Sequence, residues 1–582
     1  MHQYNTLKTS LYSKGWISAA IAIIYLSTTT SQSLMWFDSG ELALSAHSFG
    51  IAHPPGHPLY MILGWCTTFF PDPLYALNLI SSISMGLCIP ALYRLHFSHI
   101  ASPRFIDHIL SLCLLTIYPI WDQGTRIEVY ALASCLALWS LSMSNTSYSG
   151  IFLGACAAVN PIFAVGACVP ILINDPSRFF RVIITASAVV LTSYLCIIVV
   201  SVYSTGFIWG EWTTFQGIWG SLSGQSYRHI PHSAWLQLPA HTLDWLIWLI
   251  DHGLLSWMVI ALYTCIWSRA RLAINMFLVI GILFTFTYDK YNPSIPDFQG
   301  YFLPFYCFIL IGLWEFIDVI RHRFNAKVSV LISWIICGVC IHSSMGATIP
   351  LKDRDRSGYD LPITIAAAWL NSLPHCSALI VKSDHYSFPM SYLWSIGKVR
   401  PDLLILNEGF MTNGWYQEWI RQRIDPCIHT STTPSKNLLQ NRLIFVESIE
   451  LGYALGDQTP CPAYLGYSVN CTASVPFPSS SVVWEWAKAH HAVGDPIAPR
   501  ILAFIGRSLV ANAWFLGFHL EGLQLGYASL GERPELKTDQ FVLPPSRWIF
   551  PQDTLIGDEQ VLRFYLDRSS VHIHDPLLHK VP

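Results

Sequence analysis

With 582 residues, 52% hydrophobic and only 12% charged, the chain is too long and too apolar for a single soluble domain. That charged share is about half the usual value for a globular domain. A net charge of −3 without any basic stripe offers no seat for nucleic acid, and the 23 Trp, 26 Tyr and 31 Phe suit a protein with two bilayer interfaces.

A hydrocarbon core of ~30 Å needs about 20 apolar residues per helix. On that rule the sequence predicts spans near 15–34, 74–95, 106–122, 126–143, 182–204, 244–267, 272–288, 300–320 and 327–345. The stretch 148–175 is broken by Asn160-Pro161 and reads as two short helices meeting inside the membrane. The fold class is therefore a polytopic α-helical membrane protein with about eleven transmembrane helices over 1–345. The first span runs on with no small-residue cleavage site, so a cleavable signal peptide is not expected. Lys8 and Lys14, Arg94 and Arg104, Arg178 and Arg181, Arg269 and Arg271, and Arg321, Arg323 and Lys327 all fall on one side of this arrangement. The positive-inside rule makes that side cytoplasmic. The loops 35–73, 122–126, 205–243 and 289–299 then face outward, with everything after 346.

Residues 346–582 change character. Apolar β-branched runs at 377–382, 402–406 and 442–446 alternate with helical patterns at 361–373, 386–398 and 411–424, which predicts a soluble C-terminal α/β domain. Residues 455–500 read as loop, and 501–530 return to helical periodicity. Eleven of the 15 cysteines precede residue 345 and read as small hydrophobes. Cys376, Cys427, Cys461 and Cys471 lie in the outward tail, where disulfides are permitted, with Cys461–Cys471 the favoured pair.

The outward loops carry the chemistry. Asp38 and Glu41 share one face if their stretch is helical. They form either a capping box that only starts a helix or the acids of a site. The turn His53-Pro54-Pro55-Gly56-His57 cannot be helical and holds two imidazoles near those acids. The apolar stretch 57–70 after it is too short to span and is expected to lie in the interface or re-enter. The second loop supplies Arg126, Glu128 and Tyr130, the third Trp209, Trp212 and Arg228, and the fourth Lys290 and Asp297. Each has a bland alternative as an ion pair or an interfacial aromatic. No glycine-rich nucleotide loop, zinc spacing or Gly-x-Ser-x-Gly elbow is present, so no metal site is expected, with divalent-metal dependence open.

Asp38-Ser39-Gly40-Glu41, the run Gly50-Ile51-Ala52-His53-Pro54-Pro55-Gly56 with Pro58-Leu59-Tyr60, and Glu128-Val129-Tyr130-Ala131-Leu132 together resemble a known signature. It is that of the multi-spanning protein O-mannosyltransferases acting on plexin-type receptors, with their bacterial relatives, within the GT-C superfamily of membrane glycosyltransferases. Trp209-Gly210, Gly224-Gln225-Ser226-Tyr227 and Arg400-Pro401-Asp402 extend the resemblance. It implies a GT-C fold, a polyprenyl-phosphate sugar donor, Asp38 or Glu41 as catalytic base, and His53 and Glu128 lining the site. Leu77 and Pro161 stand where relatives often carry Arg and His.

The expected reaction is inverting transfer of a sugar, mannose by the resemblance, to an acceptor hydroxyl on protein Ser/Thr. Asp38 is the candidate base, with Glu41 as alternative base or orienting group. Arg126, Lys290, His57 and Arg228 are candidates for the departing lipid phosphate, since cations stabilise its growing charge. The alternatives are a transporter or flippase of lipid-linked sugars, and a transferase with lipid or polysaccharide acceptors. The expected setting is a bacterial inner membrane with a periplasmic site, or otherwise an endoplasmic reticulum membrane with a lumenal one.

Overall fold

The computed structural model describes residues 2–97, 105–144, 146–223, 234–286, 291–293, 295–324, 326–345, 354–423, 442–447 and parts of 461–505. Arg228, Lys290, Cys427, Cys471 and most of the 501–530 stretch lie outside the described residues, as does the side chain of Cys461. The chain forms two compact units, Met1–Gly358 and Tyr359–Pro582.

The first unit is helical. It opens with α1 (His2–Thr29), the first-loop helices α2 (Asp38–His47) and α3 (Pro58–Thr67), and α4 (Pro73–Phe97). Then come α5 (Phe105–Cys113), a 3-10 turn at Leu114–Thr116, α6 (Tyr118–Gly124), α7 (Tyr130–Ser142), α8 (Tyr148–Ala157), α9 (Pro161–Asn174) and α10 (Pro176–Tyr203). After these follow α11 (Phe215–Leu222), α12 (Ala234–Asp251), α13 (Leu255–Trp267), α14 (Arg271–Thr285), α15 (Pro296–Gly300), α16 (Leu303–Arg323) and α17 (Ala326–Met345).

The chain is an integral membrane protein: among the described residues α4, α10 and α16 are each long and apolar enough to cross a bilayer. Two bent pairs, α5–α6 at 77° and α13–α14 at 119°, bring the spans to as many as five. The breaks follow local chemistry. Asn160 caps α9 by accepting the Ile162 N–H at 3.1 Å, with Pro161 at the first helical position. Asp175 and Pro176 do the same for α10. The expected single span at 244–267 is instead α12 and α13, parted at Gly253, whose φ of 71° no helix continues. The stretch expected at 126–143 begins as a helix only at Tyr130, leaving 125–129 as non-helical backbone beside the site.

Helix α16 is buried nearly all round, whereas α10 exposes Phe180, Ile184, Leu191 and Val199 along a lipid-facing side. Where α8 crosses α10, Gly150 and Gly154 let the backbones touch: a Cβ on either would lie 2.6 Å or 2.5 Å from the carbonyls of Val182 and Ala186. This is the small-xxx-small device of membrane helix pairs. Gly154→Leu is expected to destabilise the protein by about 1–3 kcal/mol through overpacking, read as a fall in Tm in detergent. An unchanged Tm would refute the close crossing.

The second unit holds α18 (Leu361–Ser372), β1 (Ala378–Val381), α19 (Asp384–Ser395), β2 (Leu404–Asn407), α20 (Gly414–Arg421), β3 (Ile444–Val446), β4 (Cys461–Ala463) and β5 (Gly466–Ser468). The strand order is β2-β1-β3-β5-β4, with β1 parallel to β2 and β3 and the last two strands antiparallel. Strand β1 is buried throughout, as a central parallel strand covered on both faces must be. Arg400 and Asp402 act as a structural clamp. The guanidinium donates to Asp402 at 2.8 Å and to the carbonyls of Leu370, Leu373 and Pro374, and it holds the Asp402 carboxyl down at about 2. Cys376 beside it is disulfide-bonded.

Candidate functional site

The loop after α1 folds as two short helices, α2 and α3, around the proline turn. Helix α2 begins at Asp38 itself, and no side chain caps it. Phe37 before it has φ 64°, a left-handed conformation that costs a non-glycine residue on the order of 1–3 kcal/mol. Arg126 holds this entry in place, donating from Nη2 to the Trp36 carbonyl at 3.0 Å. The capping-box alternative does not apply, because Glu41 is fully buried and turns away from the helix start towards His53.

Glu41 Oε1 accepts the His53 backbone N–H at 3.0 Å and the Ser45 hydroxyl at 3.1 Å, while Oε2 lies 2.8 Å from His53 Nδ1. His53 Nε2 meets His57 Nε2 at 3.2 Å, and His57 Nδ1 lies 2.5 Å from the Val159 carbonyl. These contacts fix the protons. A carbonyl can only accept, so His57 Nδ1 donates, and because burial beside His53 keeps this ring neutral its Nε2 is bare. His53 Nε2 must therefore donate to it, and His53 Nδ1 donates to the Glu41 carboxylate. One ring with two donated bonds is an imidazolium.

The electrostatics agree. Burial pulls His53 down, but the charges of Glu41 and then Asp38 outweigh it and raise the ring to about 9. Burial, with the positive charge of His53, pushes His57 down to about 3. His57 is thus a neutral buttress, with no N–H left for a phosphate. Asp38, its side chain about a third exposed, has Oδ2 3.9 Å from His53 Nε2.

The segment after α10 closes on this loop. Ile51 N donates to the Phe207 carbonyl at 2.9 Å and Trp209 N to the Ile51 carbonyl at 2.9 Å, forming a parallel bridge. Gly50 makes the approach possible, since a Cβ there would sit 1.9 Å from the Phe207 oxygen. The Trp209 ring then stands edge-on to His53, centroids 6.0 Å apart.

Glu128 and Asp297, 169 positions apart in sequence, form a coupled acid pair next to Arg126 and Asp38. Burial first and Asp297 second push the Glu128 carboxyl well above its usual range. Burial also raises Asp297, opposed by the Arg126 charge. Tyr130 opens α7 and packs edge-on against Tyr301, centroids 5.0 Å apart.

Beneath these groups lies an ionic floor. Asp122 takes Arg356 Nη2 at 2.6 Å and Arg126 Nη1 at 3.6 Å, and the Arg356 guanidinium sits 4.3 Å from the Trp121 ring centroid. Arg354 donates to the Thr116 carbonyl at 2.7 Å. The structure thus gathers Asp38, Glu41, His53, His57, Arg126, Glu128, Tyr130 and Asp297 into one region. Sequence reasoning missed Tyr60, Asp122, Arg354 and Arg356. The signal available for the last two was the alternation Lys352-Asp353-Arg354-Asp355-Arg356, which is too polar for an exposed membrane surface helix and too short for a domain.

Residues 38–146 match the family model described as the protein O-mannosyl-transferase TMEM260 N-terminal domain. Protein O-mannosyl-transferase TMEM260 of Mus musculus is 33% identical over 123 residues, 20% of this chain and 17% of the mouse protein. The Dictyostelium discoideum protein of that name is 42% identical over 53 residues, 8% of this chain and 6% of its own length. The matched region therefore spans under a fifth of these relatives. Two solved structures of ArnT from Cupriavidus metallidurans, one bound to undecaprenyl phosphate and one apo, align with TM-scores of 0.44 at 14% and 13% identity. Each alignment covers 76% of this chain and 94% of ArnT. Over residues 38–146, the chain is similar to the protein O-mannosyl-transferase TMEM260 N-terminal domain.

Proposed function

We propose that the chain is a GT-C-type membrane glycosyltransferase that moves a hexose, mannose by its kinship, from a polyprenyl-phosphate donor to an acceptor hydroxyl. The site lies on the non-cytoplasmic face, which the distribution of Lys and Arg supports. The observation that carries the reading is the division of labour between the two first-loop acids. Glu41 is buried with both oxygens bound, while Asp38 is partly exposed beside a fixed imidazolium.

Asp38 takes the acceptor proton as the acceptor oxygen bonds to the anomeric carbon. The anomeric C–O bond breaks with its electron pair leaving on the lipid phosphate, and direct displacement inverts the centre. A hydroxyl is far less acidic than a carboxylic acid, so proton transfer is late and accompanies bond formation. His53 places a positive charge beside Asp38. Arg126 Nε and Arg356 Nε have no hydrogen-bond partner among the described residues, which supports an anion-accepting floor for the departing phosphate.

The test is release of polyprenyl phosphate by the purified chain in detergent from polyprenyl-phosphate-mannose, offered Ser/Thr peptides, lipids or polysaccharide in turn. Release coupled to labelling of one acceptor is expected, and that acceptor names the product. Movement of the intact donor across vesicles without release would move the protein to the transporter class.

A further inference from the structure

The segment after α10 is fastened to the site by its aromatic side chains. Trp212 is buried, donates from Nε1 to the Trp209 carbonyl at 2.9 Å and stacks on Tyr194 of α10 with centroids 6.2 Å apart. Tyr194 in turn donates to the Pro55 carbonyl at 3.2 Å, inside the proline turn. Ile51, Ile197 and Trp212 form a buried apolar cluster, and Ile218 of α11 packs against it. Thr214 caps α11 by accepting the Gly217 N–H at 3.1 Å. One face of α11 is thereby fixed to α10 and, through Ile51, to the loop that carries His53.

The other face is exposed. Phe215 is 84% exposed and Trp219 60%, and Leu222 is exposed beside them. Spaced by four and then three, they share one side of the helix. Large apolar side chains gathered on one exposed face mark a surface meant to be covered. Two observations name the cover. Helix α11 has eight residues, a length of about 12 Å at 1.5 Å per residue, which cannot cross a hydrocarbon core of ~30 Å. It sits against Ile197 of α10, whose lipid-facing side stays exposed at Val199, Val202 and Tyr203 up to the helix end. A short helix with one packed and one apolar face, set at the end of a lipid-facing helix, suits the boundary between headgroups and acyl chains, where tryptophan is favoured.

We infer that α11 is seated in that boundary, with its Phe215, Trp219 and Leu222 face covered by lipid of the leaflet nearest the site, and that this seat holds one wall of the site in place. The route is short. Ile218 presses on the cluster of Ile51, Ile197 and Trp212, Trp212 binds the Trp209 carbonyl, and the Trp209 ring stands against His53. The bridge from Ile51 to Phe207 and Trp209 rests on two backbone hydrogen bonds, so it is the part that loosens when α11 lifts away. The inference goes beyond the transferase reading and does not depend on it.

The experiment places the full chain in nanodiscs of phosphatidylcholine and phosphatidylglycerol containing a lipid with a photoreactive diazirine, either next to the glycerol or at the end of the acyl chain. Labelled peptides are mapped by mass spectrometry. The 215–222 peptide is expected to take label from the shallow probe, and residues 184–195 of α10 from the deep one. In Phe215→Asp/Trp219→Asp the label at 215–222 should disappear while α10 keeps its own, the sign that the variant is folded. Amide exchange at Ile51 and at 207–209 should then quicken by about tenfold or more. If the double variant loses the α10 label as well, Trp219→Ser alone serves for the same comparison. Wild type unlabelled at 215–222 with α10 labelled would overturn the seat, as would a cross-link between the 215–222 peptides of two copies. Label from the deep probe alone would overturn the boundary placement. Loss of label with unchanged exchange would overturn the link to the site.

Discussion

Asp38→Asn is expected to lower kcat for sugar transfer by about 10²–10⁴-fold, the usual contribution of a positioned general base. The amide keeps the shape and polarity of the carboxylate but has no basicity at neutral pH. Donor affinity should change little, since the donor's phosphate is assigned to the arginine floor. The geometry makes this the discriminating substitution. Asp38 sits at the first position of α2, partly exposed, with one oxygen 3.9 Å from His53 Nε2. Measured as single-turnover release of polyprenyl phosphate with saturating acceptor, loss of the chemical step with donor binding intact supports Asp38 as base. Full activity in Asp38→Asn would exclude it, and would leave Glu41 only if the chain through His53 rearranges during turnover.

How much of this was legible in the sequence differs by element. Membrane character was legible because apolar runs such as 182–204 are local features, and α10 (Pro176–Tyr203) contains nearly all of that run while starting earlier, at its own proline. The break at Asn160-Pro161 was legible for the same reason, since proline and a capping side chain act on their neighbours. The turn at Gly253 and the 77° bend after Thr116 were not, because nearby residues remain apolar and packing decides whether a helix continues. In the site, the first-loop motif gave Asp38, Glu41, His53 and His57 together. It could not say which acid is buried, because that depends on the His53 backbone N–H and on the Val159 carbonyl, 102 positions beyond His57. Asp297 was read as a substrate-binding candidate of its loop, and its pairing with Glu128 has no local trace. Arg356 lies 234 positions from Asp122 and was assigned by position alone to the start of the tail.

Glu41→Gln should separate the two acids by their pH dependence. In the wild type Glu41 is the chief partner that lifts His53 to about 9 against the opposing effect of burial. The neutral amide removes that push while burial remains, so the ring of the variant titrates well below the wild-type value and is uncharged at pH 7.5. Asp38 then loses its adjacent cation, a partly solvent-screened contact of about 1 kcal/mol, or about fivefold in rate. The wild-type kcat should be flat from pH 6 to 8, whereas Glu41→Gln should recover activity as the pH falls and His53 regains its proton. Stability follows the same sign. A histidine held above its unfolded value of 6.5 contributes stability fully below pH 6.5 and loses it as the pH rises through 9. The Tm of wild type should therefore fall across that window relative to the variant, which starts lower because breaking a buried pair costs about 3–5 kcal/mol. A variant with the wild-type pH profile, merely scaled down at every pH, would show that Glu41 shapes the loop without setting the charge on His53. A variant inactive at every pH with donor binding retained would instead return the role of base to Glu41.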